Sequence, residues 1–282
     1  MKSILVVGST STVGISVGSL LARHHKVFYA GRQNADYYLD LSSTELKLPE
    51  NLQFDVVIHT AADFGGNSEE YFYRAEMINA IGTLNVCRLA QKVHAKHILV
   101  VSSLSASYIS GDPYFNIYSL SKRHADELAQ IYCDQVGLPL TILRPTQLYD
   151  AESKCKAHQG LFYSIIEKAQ KGEDIDFYGN NNALRNYLYL NDFSEIVARA
   201  IEEKVIGTFN CPSPNSVRLS EIAQTAYRIF NQGGDIHFLA DKPNIVDLPE
   251  VCGSDLYQKI GFKPQISLAE GIQMIKDVRE MI

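Results

Sequence analysis

Residues 1–21 constrain the chain more than any other stretch. The apolar run Ile4-Leu-Val-Val7 stops at Gly8, the loop Gly8-Ser-Thr-Ser-Thr-Val-Gly14 follows, and apolar residues then recur at helical spacing as Val17, Leu20 and Leu21. Such a run bounded by glycine reads as a buried strand, and the spacing after it as an amphipathic helix. Strand, tight turn and helix in that order aim the helix's first, unpaired amides at the turn, which makes an anion site. An ordinary strand-to-helix turn carries the same signature, so the remaining chain has to decide between them.

It does so by repetition. A second strand is predicted at Val27 to Ala30, ending in Gly31-Arg32, and a third around Tyr37 to Leu39, followed by Asp40-Leu41. The fourth, Val56 to His59, leads into the small residues Ala61 and Ala62, and a long helical pattern spans Glu69 to Val93. The fifth, His97 to Val101, delivers Ser102 and Ser103 to its carboxyl end, and a helix over Ser119 to Val136 precedes a sixth strand, Leu140 to Leu143, which runs into Arg144-Pro145. Strands alternating with helices form an α/β fold with a doubly wound parallel sheet, whose ligands sit beyond the carboxyl ends of the strands.

From Asp150 the rhythm loosens into a smaller C-terminal α/β lobe. A helix is expected over Leu161 to Lys171, a short strand at Tyr187 to Tyr189, and a helix from Phe193 to Glu203 capped by Asn191-Asp192. Thr208 to Asn210 can return as a seventh sheet strand, and Ser267 with Glu270 forms a capping box. The expected division is residues 1–150 as a dinucleotide-binding domain, with 192–212 returning to it, and 151–282 as mainly a substrate-binding lobe.

Composition removes several function classes. A net charge of -6 offers no basic excess for nucleic acid. The five scattered cysteines include no Cys-x-x-Cys, so neither a disulfide framework nor a structural zinc is indicated, and a reducing cytoplasm suits them. No apolar run approaches membrane-spanning length, so a soluble protein without a membrane partner is expected. His94 and His97 have no third ligand nearby in the sequence, and no metal site is expected.

The chemistry concentrates at Tyr118-Ser-Leu-Ser-Lys122, which begins an amphipathic run through Ala125, Leu128, Ala129 and Ile131. Four residues on a helix are one turn, so the phenol and ammonium can reach one small volume. A neighbouring ammonium favours phenolate, which would bring the tyrosine toward acid/base work on an alcohol or ketone.

Taken in order, eight pieces resemble the extended short-chain dehydrogenase/reductase superfamily, and within it the NAD-dependent epimerase/dehydratase family that acts on nucleotide sugars. They are Gly8 to Gly14, Asp40-Leu41, His59-Thr-Ala-Ala62, Asn79-Ala-Ile-Gly-Thr83, Val101-Ser-Ser103, Tyr118 to Lys122, Arg144-Pro145, and Arg185-Asn-Tyr-Leu-Tyr-Leu-Asn-Asp192. The resemblance covers nearly the whole chain. It implies that Gly8, Thr10, Ser11, Thr12, Val13 and Gly14 line a pyrophosphate loop, that Asp40 with Leu41 meets the adenine, and that Ala61, Ala62, Asn79 and Pro145 flank the cofactor. Tyr118 would be the general acid/base, Lys122 would hold the nicotinamide ribose and lower the tyrosine pKa, and Ser103 would bond the reacting oxygen, with Ser105 as fallback. Gln147 and Arg185 would meet the substrate's phosphates, and family dimers imply a homodimer through the helices of Glu69 to Val93 and Ser119 to Val136, with apolar contact from Tyr71, Tyr73, Leu89 and Ile131.

The departures bear on the reaction. Ser11 replaces the middle glycine, and the segment from Ser103 to Tyr118 is short for a sugar-nucleotide enzyme. Leu104 and Ser105 stand where a 4,6-dehydratase carries an Asp-Glu pair, so that reaction is not the expected one. At the end of the second strand a carboxylate would bind a ribose hydroxyl and an arginine would accommodate a 2'-phosphate. Gly31-Arg32 therefore predicts NADP(H) over NAD(H). The expected reaction is reduction of a 4-keto sugar nucleotide; the alternatives are a 4-epimerase, a reductase of small non-nucleotide carbonyls, and a non-catalytic NADP sensor.

Overall fold

A computed structural model describes residues 1–43, 48–49 and 51–281. The chain divides into two compact units: residues 1–145, 194–211 and 254–262 form the first, and residues 146–193, 212–253 and 263–282 the second.

The first unit is built on a parallel sheet. Its strands are β1 (Ser3–Val7), β2 (Lys26–Gly31), β3 (Tyr37–Tyr38), β4 (Val56–His59), β5 (His97–Val101) and β6 (Leu140–Pro145), with Gly207–Cys211 as the seventh. Across the sheet the order is Gly207–Cys211, β6, β5, β4, β1, β2, β3. Every residue of β4 and β5 is buried, which is why these strands read as unbroken apolar runs. The order reverses direction at β1, where Val7 pairs with Ala30 on one side and His59 on the other. Ligands of doubly wound sheets bind at that reversal, and it is here that Gly8 and the Thr60 to Ala62 segment emerge together.

Helix α1 (Thr12–Leu21) follows β1. The long pattern after β4 is one continuous helical stretch whose middle is wider than its ends: α2 (Glu69–Ala75), a π-helical turn (Glu76–Ile81) and α3 (Gly82–Lys92). Helix α4 (Ile117–Val136) starts at Asn116, whose side chain accepts from the Ser119 amide, and stops at Gly137 with φ +67°. Between sheet and helices Leu5, Val57, Ile98 and Ile142 pack with Val86, Leu89, Ala129 and Cys133. Leu89, expected to supply apolar contact to a second copy, is therefore a core residue and not a surface one.

In the second unit, helices Gly160–Lys171, Leu219–Phe230 and Leu268–Glu280 accompany three two-stranded ladders. Tyr149, Phe162 and Tyr187 form its aromatic centre. The Ser267/Glu270 capping box forms as the sequence predicts. Asp192, expected to cap, lies in the first turn of its helix. Its helix already begins at Leu190, and the carboxylate accepts from the Gln265 and Ile266 amides at 2.9 and 2.8 Å. No helix among the described residues is long and apolar enough to cross a membrane.

Candidate active site

The loop after β1 is a cradle that only glycine fits. Gly8 has φ +115°, and a Cβ there would stand 2.6 Å from Thr60 Oγ1 and 2.8 Å from the Ala61 nitrogen. A Cβ on Gly14 would stand 2.6 Å from the same Thr60 oxygen and 2.7 Å from the Gly8 carbonyl oxygen. Thr60 is thus the stop against which both glycines close, its hydroxyl held by the Val7 carbonyl at 3.1 Å. It lies within His59-Thr-Ala-Ala62, a stretch whose expected contacts were Ala61 and Ala62 alone. Ser11 is the N-cap of α1, its oxygen accepting from the Gly14 amide at 3.2 Å. Its own O–H stays available to a ligand oxygen, so the serine is compatible with an anion site. Thr10 is exposed beside it, and Thr12 and Val13 form the half-buried first turn of α1.

At the end of β2, Ser9 donates to the Gln33 carbonyl at 2.6 Å and lies under Gly31, leaving no room there for a side chain. Arg32 is exposed. Asp40 accepts from the Ser42 amide and hydroxyl at 3.0 and 2.7 Å, which holds its carboxyl below the usual range. One oxygen of Asp40 is thereby committed to its own turn. Leu41, expected at the adenine, has its side chain buried in the core.

Ala61 and Ala62 are half-buried at the end of β4, and Pro145 is buried at the end of β6. Asn79, expected beside the cofactor, braces the protein from the π-helical turn. Its oxygen accepts from the Asp63 amide at 2.7 Å, and its nitrogen donates to the Asp63 carbonyl and to Ser121 on α4 at 2.7 and 2.9 Å. With both donors engaged, the side chain sets the position of the segment after β4. π-turns often mark functional sites, where the extra residue re-aims a side chain.

The fixed segment presents Phe64 over Tyr118, the rings stacked with centroids 5.1 Å apart. Asp63 accepts from the Gly65 amide at 2.8 Å and pairs with Arg74 at 2.6 Å, stiffening this support. The Ser103 hydroxyl hydrogen-bonds the Tyr118 phenol. Ser105 instead gives its amide to Ser103 at 3.1 Å, so Ser103 is the serine that meets the tyrosine. Lys122, only 1% exposed, donates to the Val101 carbonyl at 2.9 Å. Burial lowers its pKa to about 8, against the opposing charge of Asp126.

The expected depression of the Tyr118 pKa is not what the protein chain alone produces. Burial pushes the phenol up to about 12, with the Ser103 hydrogen bond acting against the rise. The reason is desolvation: a ring covered by Phe64 loses the water that would stabilise phenolate, and the Lys122 ammonium is turned toward Val101. At neutral pH this tyrosine is an acid.

Asp126, missed by the sequence reading, lies one turn beyond Lys122, and its carboxylate takes the Arg144 Nε at 2.8 Å. The recurrence of polar residues every four positions, Tyr118, Lys122 and Asp126, was its signal. Of the proposed substrate contacts in the second unit, Gln147 donates to the Gln159 side chain at 3.0 Å. Arg185 is 5% exposed, with Nη1 on the Leu184 and Val246 carbonyls at 2.7 and 2.8 Å, so part of its fork serves the protein.

A doubly wound sheet with a glycine cradle at its reversal point and a Ser–Tyr–Lys set beside it defines a Rossmann-type protein of the extended short-chain dehydrogenase/reductase class. The chain belongs to the NAD-dependent epimerase/dehydratase family, whose model matches residues 4–211. It is similar to UDP-glucuronic acid decarboxylase 1 of Arabidopsis thaliana, 25% identical over 99% of this chain and 70% of that one. Its fold is like that of a UDP-glucose 4-epimerase from Thermotoga maritima, solved with UDP-glucose, at TM-score 0.81 and 19% identity over 99% of both chains. A UDP-glucuronic acid 4-epimerase from Bacillus cereus, solved with NAD, is similar at TM-score 0.78 and 17% identity, over 99% of this chain and 98% of that one.

Proposed function

We propose that the protein is an NADP(H)-preferring oxidoreductase that reduces a 4-keto sugar nucleotide. The observation carrying this reading is the Tyr118 phenol, hydrogen-bonded by Ser103, protonated at neutral pH as an ordinary tyrosine is and pushed further up, to about 12, by burial. A protonated acid beside a serine donor suits the reductive direction, in which a carbonyl oxygen must gain a proton. The glycine cradle and the amides of α1 fit a dinucleotide's pyrophosphate, and Gly8, Ser11, Gly14 and the first turn of α1 would hold it. Bound there, the nicotinamide supplies the hydride. Ser103 donates to the substrate carbonyl oxygen, Tyr118 delivers its proton to that oxygen as the carbon is reduced, and Lys122 presents positive charge to the newly formed phenolate. Residues 1–145 with 194–211 would bind the cofactor, and residues 146–193 with 212–253 the sugar nucleotide, to which Gln147 and Arg185 would contribute their remaining donors. Arg32, with no carboxylate beside it on β2, supports the 2'-phosphorylated cofactor.

A second reading is an enzyme that retains NAD through two half-reactions, as a 4-epimerase does; the names of the similar proteins favour it. Supplying purified protein with NADPH and a 4-keto sugar nucleotide separates the two. Stoichiometric loss of NADPH absorbance supports reduction, whereas copurifying NAD and interconversion of two sugar nucleotides without net cofactor change would overturn it.

A homodimer in a cytoplasmic setting accords with this reading. Tyr71, Phe72 and Tyr73 on α2 and Ile131 on α4 are exposed, the last at 66%, and such apolar side chains suit a helical interface. Ile131→Asp should then shift the mass seen by light scattering from dimer toward monomer; a monomeric parent protein at micromolar concentration would refute the dimer.

A further inference from the structure

We propose that Asp126 is a positioning residue: paired with Arg144 beneath α4, it keeps Lys122 charged and aimed at the site. This inference rests on the hydride-transfer reading above for its purpose, but not for its geometry. Tyr118, Lys122 and Asp126 occupy successive turns of one helix face. Asp126 is 3% exposed, a burial a carboxylate tolerates only with partners. Arg144 from β6 supplies the charged one, its Nε donating to Oδ2 at 2.8 Å, while Oδ1 and the nearby Ser102 hydroxyl at the end of β5 are buried without a hydrogen bond among the described residues.

Lys122 is buried just as deeply and donates from Nζ to the Val101 carbonyl at 2.9 Å, which engages one of its three donors. Desolvation lowers the pKa of such an ammonium, and Asp126 is the charge that opposes this. The other ionisable groups facing Lys122 are Tyr118 on its own helix, neutral at physiological pH, and His59 from β4. His59 is pushed down to about 3 by burial and is neutral too. Arg144 is bound to the same carboxylate at 2.8 Å. Remove that carboxylate, and Lys122 loses the charge that opposes its desolvation.

Two opposite substitutions follow from this order of charges. Asp126→Asn should lower the Lys122 pKa by roughly one unit from its value of about 8, so that at pH 8 the ammonium fraction falls several-fold. Arg144→Gln should raise it, because the carboxylate then acts on Lys122 without a competitor. Asp126→Glu should restore the parent value.

The test reads Lys122 directly, by the pH dependence of its 13Cε NMR signal in the protein without cofactor, assigned with Lys122→Ala. The expected result is a midpoint that moves down in Asp126→Asn, up in Arg144→Gln, and returns in Asp126→Glu, with the basic limb of the kcat/KM pH profile moving in parallel. Circular dichroism checks folding. If Asp126→Asn does not fold, the upward movement in Arg144→Gln and the restoration in Asp126→Glu carry the test. Midpoints unchanged in the folded variants, or both moved in one direction, overturn the proposal. Full turnover by Tyr118→Phe would instead sink the hydride-transfer reading and leave the NMR titration to decide Asp126 by itself.

Discussion

Replacing Gly14 by alanine should damage cofactor binding through one collision that the protein cannot relieve. The new methyl would lie 2.7 Å from the Gly8 carbonyl oxygen and 2.6 Å from Thr60 Oγ1, where ordinary contact starts near 3.4 Å. Neither neighbour can give. The Gly8 carbonyl accepts from the Ser11 amide at 2.9 Å, and the Gly8 amide donates to Ala30 at 2.9 Å, so the turn is pinned on both sides. Thr60 is tied to Val7 at 3.1 Å. Helix α1 must therefore retreat by about 0.7 Å, the difference between those contacts, and overpacking of this kind costs about 1–3 kcal/mol. For a chain of this size each kcal/mol is roughly 2–4 °C in Tm. The retreat also draws the first amides of α1 from an anion, and loss of one charge-assisted hydrogen bond, about 1.5–3 kcal/mol, weakens Kd by roughly ten- to a hundredfold. Calorimetric titration with NADPH and a thermal melt measure the two effects. Adding Thr60→Ala should recover only part of either, because the Gly8 carbonyl remains. Gly160→Ala, with nothing within 4 Å of the added methyl, should do neither. If Gly14→Ala binds NADPH within twofold of the parent and melts within a degree of it, the cradle reasoning is wrong.

Tyr118→Phe keeps the ring stacked under Phe64 and removes only the acid, so turnover should fall by roughly 10²- to 10⁴-fold with NADPH affinity nearly unchanged, as single-turnover absorbance and fluorescence titration would report. Arg32→Ala should erase most of any preference for NADPH over NADH, measured as the ratio of their Kd values; a parent protein that binds NADH as well or better would already refute the assignment. Acid should destabilise the fold through two buried histidines: His59 and His97 titrate at about 3 and about 4 when folded, because burial disfavours their charged form, but near 6.5 when unfolded. Below pH 6.5 the unfolded chain takes up these protons first, so each histidine removes about 1.4 kcal/mol per pH unit down to its folded pKa. His97→Gln should reduce that slope between pH 6.5 and 4 in urea titrations, and an unchanged slope would contradict the burial argument.

What the sequence determined by itself was whatever local periodicity encodes. Strands buried on both faces must be apolar throughout, so β1, β4 and β5 stood out, and their alternation with amphipathic helices implied the parallel sheet. Gly8, Gly14 and the Tyr118/Lys122 spacing were legible for the same reason, since a turn and a helical step are set by neighbours in the chain. The tertiary structure decided the contacts between residues distant along it. Thr60 became the stop for two glycines only because β4 lies beside β1; Asp126 found Arg144 only because α4 lies on β6; Asn79 became a brace only through its reach to Asp63 and Ser121. The burial of Leu41 and Leu89, the partial engagement of Arg185 and the bonding of Asp192 to the segment before the last helix are likewise matters of what packs opposite. The Tyr118 phenol makes the same point: its spacing from Lys122 suggested a lowered pKa, while desolvation under Phe64, which arises only once the chain has closed around the ring, moved it the other way.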